Sequence, residues 1–152
     1  MERPAVFILV IVLAAIVSGC LQAPATSPAT SVRIDATPQH YSPLMSSTPG
    51  IGLTPNVTGF GISEARYEWN ASYGRFLDWS APGYVVTERG TSAVSNEGKI
   101  YWSFSTFPES SPQPVVIMLN AVDKKTGQVL GHSRMTLGWE ENNTFVSVEK
   151  IE

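Results

Sequence analysis

The residue best placed for covalent chemistry is Cys20, the only cysteine in the chain. It closes the run Val17-Ser18-Gly19-Cys20, after an apolar stretch that begins at Ala5 and contains no polar side chain. A thiol is a natural nucleophile for forming a thioether, and the two small residues before it leave the backbone accessible to enzymes. Because there is no second cysteine, no internal disulfide can stabilise the fold.

This N-terminus resembles the lipoprotein signal of bacteria and archaea, whose lipobox is an aliphatic residue, two small residues and then cysteine. The resemblance implies that residues 1–19 are a signal peptide, which is cleaved off just before Cys20. It also implies that a diacylglycerol-type lipid is attached to the Cys20 thiol. The alternative is an uncleaved helical anchor. As a helix, residues 5–21 would span about 26 Å, somewhat short for a bilayer core of about 30 Å. Either reading predicts a membrane-anchored protein outside the cytoplasm.

Residues for acid–base or metal chemistry are sparse in the rest of the chain. His132 is the only histidine after residue 61, and it falls on the more polar face of a predicted strand. We therefore expect it to face solvent rather than to act as an acid, base or ligand. With one histidine and no available thiolate, a zinc site is not expected. The acidic run at residues 140–143 matches no calcium-loop spacing and predicts a polar turn.

The carboxylates belong to different predicted elements, so the sequence pairs none of them for general acid–base catalysis. They are Asp78, Glu88, Glu97, Glu109 and Asp123. We expect no catalytic residue, no metal and no cofactor, and a small hydrolase is the least favoured alternative.

Aromatic residues provide the candidate binding surface. Trp69, Trp102 and Trp139 fall on apolar faces and are expected in the core. Tyr101 points the opposite way from Trp102, while Tyr73 and Tyr84 lie near turns. These three tyrosines are the candidate ligand-binding residues, because exposed aromatic rings can stack against the C–H faces of sugars.

Three sequons, at Asn56, Asn70 and Asn142, are candidate N-glycosylation sites. Each one is predicted to lie in a loop or turn, where the modification requires it. They matter only if the source organism glycosylates exported proteins.

Composition divides the chain after Cys20. Residues 20–61 begin with Cys20, which the lipobox resemblance implies is lipidated. The segment is rich in Pro, Ser and Thr with few large apolar side chains, which predicts an extended, disordered linker. Residues 62–152 contain all four tryptophans and should form one folded domain. A domain of this size can bury a modest core without disulfides or metal.

Short runs of β-forming residues separated by turns predict an all-β domain. The cleanest run is Lys99–Phe104, which alternates apolar and polar residues. Residues 115–122 are nearly all apolar, as expected of a central strand covered on both faces. About seven strands are predicted in total, at 65–70, 75–79, 84–89, 99–104, 115–122, 128–139 and 144–150. Their number favours a single antiparallel sandwich, which resembles the immunoglobulin-like and PKD-like domains of microbial surface proteins in architecture only.

The sequence thus predicts a lipid-anchored, non-enzymatic, extracytoplasmic protein that presents a small β-sandwich for binding. Its expected partners are the membrane and an envelope protein or glycan. The net charge of −3, without a basic run, argues against nucleic acid. Two alternatives remain: a carbohydrate-binding surface module and an accessory subunit of a membrane complex.

Overall fold

Two antiparallel β-sheets pack face to face in the computed structural model, which describes residues 30–80, 85–96, 98–108, 112–140 and 142–152. The strands are β1 (Ser31–Thr37), β2 (His40–Tyr41), β3 (Ile51–Thr58), β4 (Ala65–Ala71), β5 (Arg75–Ser80), β6 (Val85–Gly90), β7 (Ser92–Ser95), β8 (Ile100–Ser103), β9 (Val115–Asp123), β10 (Val129–Glu140) and β11 (Phe145–Ile151). One sheet has the order β1-β3-β8-β5-β6, and the other has the order β2-β11-β10-β9-β4-β7. A 3-10 turn, Ile62–Glu64, precedes β4.

The core lies between the sheets because alternate residues of each strand point inward. In β4, Ala65, Tyr67 and Trp69 are fully buried, while the residues between them are partly exposed. Trp102 of β8 and Phe76 of β5 are opposite each other in register and complete the centre of the facing sheet. The predicted all-β sandwich is therefore confirmed, as are the core positions of Trp69 and Trp102.

The predicted linker is wrong for residues 31–58, which form β1, β2 and β3. Val32, Ile34 and Ala36 alternate with exposed residues in β1, and all three pack in the core. Proline frequency was a misleading signal here. Pro55 is buried in β3, whose pairing with β8 covers only Ile51–Leu53, so its missing N–H is not needed on that side.

All seven predicted strands are present, but the structure adds four, including β7 in a segment predicted as loop. The prediction that β9 is covered on both faces is wrong, because Met118 is exposed on its outer face. Val115, Ile117 and Leu119 are its buried side. Among the described residues, no helix is long and apolar enough to cross a membrane.

The two ends of the sandwich differ. At the proximal end, the chain enters β1 at Ser31, and Val32 packs directly over Gly131, where an added Cβ would lie 2.6 Å from its Cγ2. The β9–β10 turn lies at the same end, because Gly131 is near the start of β10. The distal end comprises the β4–β5 turn, the β8–β9 connection and the β10–β11 turn. Nine residues of β9 separate the ends by about 27 Å at about 3.4 Å per residue.

Candidate functional site

The distal end is formed by connections from both sheets that bond to one another. Ser72 in the β4–β5 turn accepts the Val116 N–H on its Oγ at 2.9 Å. The Tyr73 hydroxyl donates to the Thr106 carbonyl at 2.5 Å, and Trp102 Nε1 donates to the Tyr73 carbonyl at 2.8 Å. These bonds fix the β4–β5 turn against the segment that follows β8.

Gly74 determines how the turn leads into β5. Its φ is +77°, and an added Cβ would lie 2.5 Å from the Ser103 carbonyl oxygen and 2.7 Å from Trp102 Cζ2. Only glycine adopts this backbone conformation in so little space without strain. The close approach places the next residue, Arg75, opposite Ser103 in register.

An aromatic cluster supports the distal end from below. Its centre is the buried Phe104, whose ring makes edge contacts with Trp139 at 5.0 Å and with Phe107 at 5.6 Å between centroids. Tyr73 packs edge-on against Trp139 at 5.5 Å. Trp139 was predicted in the core, and it is a half-buried residue at the rim of the core. These contacts join the distal connections to the core.

Two clefts meet at Arg75, which lines both of them together with Phe104 and Ser105. The first has a volume of about 410 Å³ and opens between the β4–β5 turn and Thr106. The second has a volume of about 390 Å³ and extends along β5 and β6 beneath the segment that links β2 to β3. We call the two clefts together the Arg75 groove.

The Arg75 guanidinium is only partly satisfied by the protein. Its Nη1 donates to Ser105 Oγ at 2.9 Å. Its Nε lies 3.2 Å from Glu88 Oε1, close enough for an ion pair, yet this buried N–H has no aligned hydrogen-bond acceptor. The Arg75 side chain is 33% exposed and that of Glu88 is 59% exposed.

A hydroxyl network forms one wall of the second cleft. The Tyr41 hydroxyl donates to the Pro49 carbonyl at 3.1 Å and lies 2.8 Å from Ser103 Oγ. Burial raises the pKa of Tyr41, and the hydrogen bond to Ser103 and the positive charge of Arg75 oppose that rise.

Apolar side chains line much of the rest of the second cleft, beside the polar Thr48, Glu88 and Ser105. Leu77 is 3% exposed and lines the cleft together with residues of the β2–β3 segment. Leu44 and Val86 lie at the opening and are 70% and 45% exposed. One cation beside large apolar surfaces is the composition of a small-molecule binding site.

A second surface lies on the outer face of the five-stranded sheet. Tyr101 of β8 packs edge-on against Trp79 of β5, with ring centroids 5.4 Å apart. Lys99 Nζ lies 4.8 Å from the centre of the Tyr101 ring, and its side chain covers Gly52. On the same face, Asn56 Nδ2 donates to Asp35 Oδ2 at 3.0 Å.

The structure does not join the predicted tyrosines into one surface. Tyr73 is half-buried at the distal end, whereas Tyr101 lies on the outer face of the five-stranded sheet. Tyr84 lies outside the described residues, as does Cys20.

Of the three candidate glycosylation sites, only Asn142 lies in a turn. The loop prediction is wrong for Asn56 in β3 and for Asn70 in β4, although both side chains are exposed. Asn70 Oδ1 accepts a hydrogen bond from Ser92 Oγ at 2.7 Å, and Asn56 bonds to Asp35. Glycosylation itself stays a prediction at all three positions.

His132 is exposed on β10, as predicted, opposite Asn120. No three His, Cys, Asp or Glu side chains within the described ranges are grouped so that they could hold a metal ion.

Sequence reasoning missed Arg75, Tyr41 and Ser103. Tyr41 fell in the predicted linker, and the only local signal for Arg75 was an arginine directly after a turn glycine.

No protein-family model, curated protein or solved structure matches this chain.

Proposed function

We propose that the protein is a membrane-anchored, extracytoplasmic binding protein without enzymatic activity, which displays the distal end of its sandwich away from the bilayer. The observation that supports this most directly is the placement of the two ends. The chain enters the fold at the proximal end, at Ser31, and the Arg75 groove opens at the distal end. A lipid on Cys20 would therefore leave the groove open to ligands.

The length of chain between anchor and fold strengthens the proposal. Residues 21–30 separate Cys20 from β1, so eleven Cα–Cα steps span at most about 40 Å. That reach is much shorter than the predicted linker of residues 20–61 would allow. The proximal end of the domain would be confined within about 40 Å of the lipid anchor.

Anchoring can be tested with Cys20→Ser, using Ser18→Ala as the matched control because alanine keeps a small residue in the lipobox. We expect Cys20→Ser to lose the lipid from its intact mass, and to move from the membrane to the soluble fraction where residues 1–19 are removed. The control should stay membrane-bound, with a mature intact mass that begins at a lipidated Cys20. An unmodified Cys20 with residues 1–19 retained would replace the lipid by a helical anchor. Recovery of the unchanged protein without detergent would contradict anchoring altogether.

A second candidate function, glycan binding, is favoured by the Tyr101–Trp79 pair. Its rings lie on a sheet face that also presents Asp35 and Asn56, so stacking and hydrogen-bonding groups occur together. Sugar-binding sites combine these two kinds of contact. The test is a glycan array with Tyr101→Ala, and with Tyr73→Ala as the control at the distal end. Loss of binding in the first variant alone would support this surface, whereas equal binding by both variants would exclude it.

A further inference from the structure

We propose that the Arg75 groove binds a small organic carboxylate with an apolar body. This inference rests on the proposed function, because it identifies the ligand class of the distal binding end. The juxtaposition that points to it is a single under-satisfied guanidinium at the junction of two clefts, one of which has a group of apolar side chains in its lining.

The Arg75 guanidinium has unused capacity to donate hydrogen bonds. A guanidinium presents five N–H donors in a planar fork that matches the two oxygens of a carboxylate. Here Nη1 has a neutral acceptor in Ser105, while the buried Nε has only the misaligned Glu88 oxygen at 3.2 Å. The Arg75 side chain is 33% exposed, so a ligand carboxylate entering from the groove can pair with the part of the guanidinium that faces the groove.

The charge balance favours a carboxylate over a more highly charged anion. Among the described residues that line the two clefts, Arg75 is the only cation and Glu88 is the only anion. A single negative charge is balanced by Arg75 once Glu88 turns outward. A phosphate dianion would lack a second positive group in the groove.

The second cleft offers space for the apolar body of the ligand. Its volume of about 390 Å³ lies at the lower end of the range for small-molecule sites, about 300–1,000 Å³. Leu77, Val86 and Phe107 line it next to Arg75, and Leu44 lies at its opening. A short alkyl or phenyl group would be buried there while its carboxylate reaches the guanidinium.

Glu88 then acts as an internal competitor for the ligand. It lies on β6, the edge strand of the sheet, and its side chain is 59% exposed, so it can rotate into solvent at little cost. Replacing it with a neutral residue should therefore strengthen ligand binding. A purely structural Arg75–Glu88 pair would give no such gain.

The test uses the full chain as purified from its host, in detergent where it needs it, with 3-phenylpropionate as the probe and 3-phenylpropanamide as its neutral control. Ligand-observed NMR titration would measure saturable binding. We expect the carboxylate to bind at least about tenfold more tightly than the amide, and Arg75→Met to lose that difference. Glu88→Gln should bind the carboxylate about threefold more tightly, and Arg33→Met should bind like the unchanged protein.

Several outcomes would overturn the proposal. These are equal binding of acid and amide, unchanged binding by Arg75→Met, weaker binding by Glu88→Gln, or no saturable binding up to about 20 mM. If Arg75→Met fails to fold, the amide comparison and Glu88→Gln still decide the question. Failure here would leave the membrane fractionation of Cys20→Ser unaffected, so the ligand class and the anchoring are tested separately.

Discussion

Replacing Ile34 by alanine tests whether the fold begins at Ser31. Ile34 has no exposed surface, lies in the centre of β1 and faces Pro55 across the strand pair. The substitution removes three carbon groups at about 0.8 kcal/mol each. With the cavity left behind, the free energy of unfolding should fall by about 3–4 kcal/mol. For a domain of this size, that lowers the melting temperature by about 12–16 °C.

The matched control is Arg33→Ala, one residue earlier on the exposed face of the same strand. It should change the free energy of unfolding by no more than about 0.5 kcal/mol. Guanidinium unfolding followed by tryptophan fluorescence suits the measurement, because Trp69 and Trp102 are both fully buried. Cys20→Ser would be included in every variant to keep the chain free of lipid. Equal stabilities for the two variants would refute the assignment of β1 to the core.

Three further predictions concern other parts of the fold. Gly74→Ala should lower the free energy of unfolding by about 3 kcal/mol in the same assay, because of the positive φ and the close contact with Ser103. A stability unchanged by this substitution would contradict the turn geometry. Ser133→Ala should lower the free energy of unfolding by about 2–3 kcal/mol, because the buried Oγ accepts the Ile34 N–H and donates to the Glu152 carbonyl. A decrease below about 0.5 kcal/mol would show that these groups find other partners. Burial raises the pKa of Tyr67 above the ordinary value of 10.0, so the unfolded state loses this proton first as pH rises. Stability should therefore fall above about pH 10, and less steeply in Tyr67→Phe, as measured by urea unfolding between pH 8 and 12.

The sequence predicted the fold class because the period-2 pattern is strong where strands are long and one face is buried. Ala65, Tyr67 and Trp69 alternate with polar residues, and the structure buries all three. The same pattern exists in Val32, Ile34 and Ala36, but the neighbouring prolines, serines and threonines obscured it. Composition averages over residues, whereas burial depends on a few apolar side chains at the right spacing.

The candidate site was less predictable because it depends on contacts between residues far apart in the chain. Tyr41 bonds to Ser103, and Arg75 lies beside Glu88 and Ser105. No local spacing brings these residues together; the sheet registers do. Tyr101 was correctly expected outside the core, but its neighbour Trp79 follows only from the pairing of β5 with β8.

The most direct test of the account is the orientation of the domain on a bilayer. Cys20 is the only cysteine, and its thiol is blocked once it is lipidated. The new thiol of Lys125→Cys or of Thr106→Cys can then be labelled specifically with a donor fluorophore. Lys125 lies in the turn at the proximal end and Thr106 at the distal end. Energy transfer to acceptor lipids in the same leaflet should be stronger from position 125 than from position 106. Equal or reversed transfer would contradict a domain that displays its distal end away from the membrane.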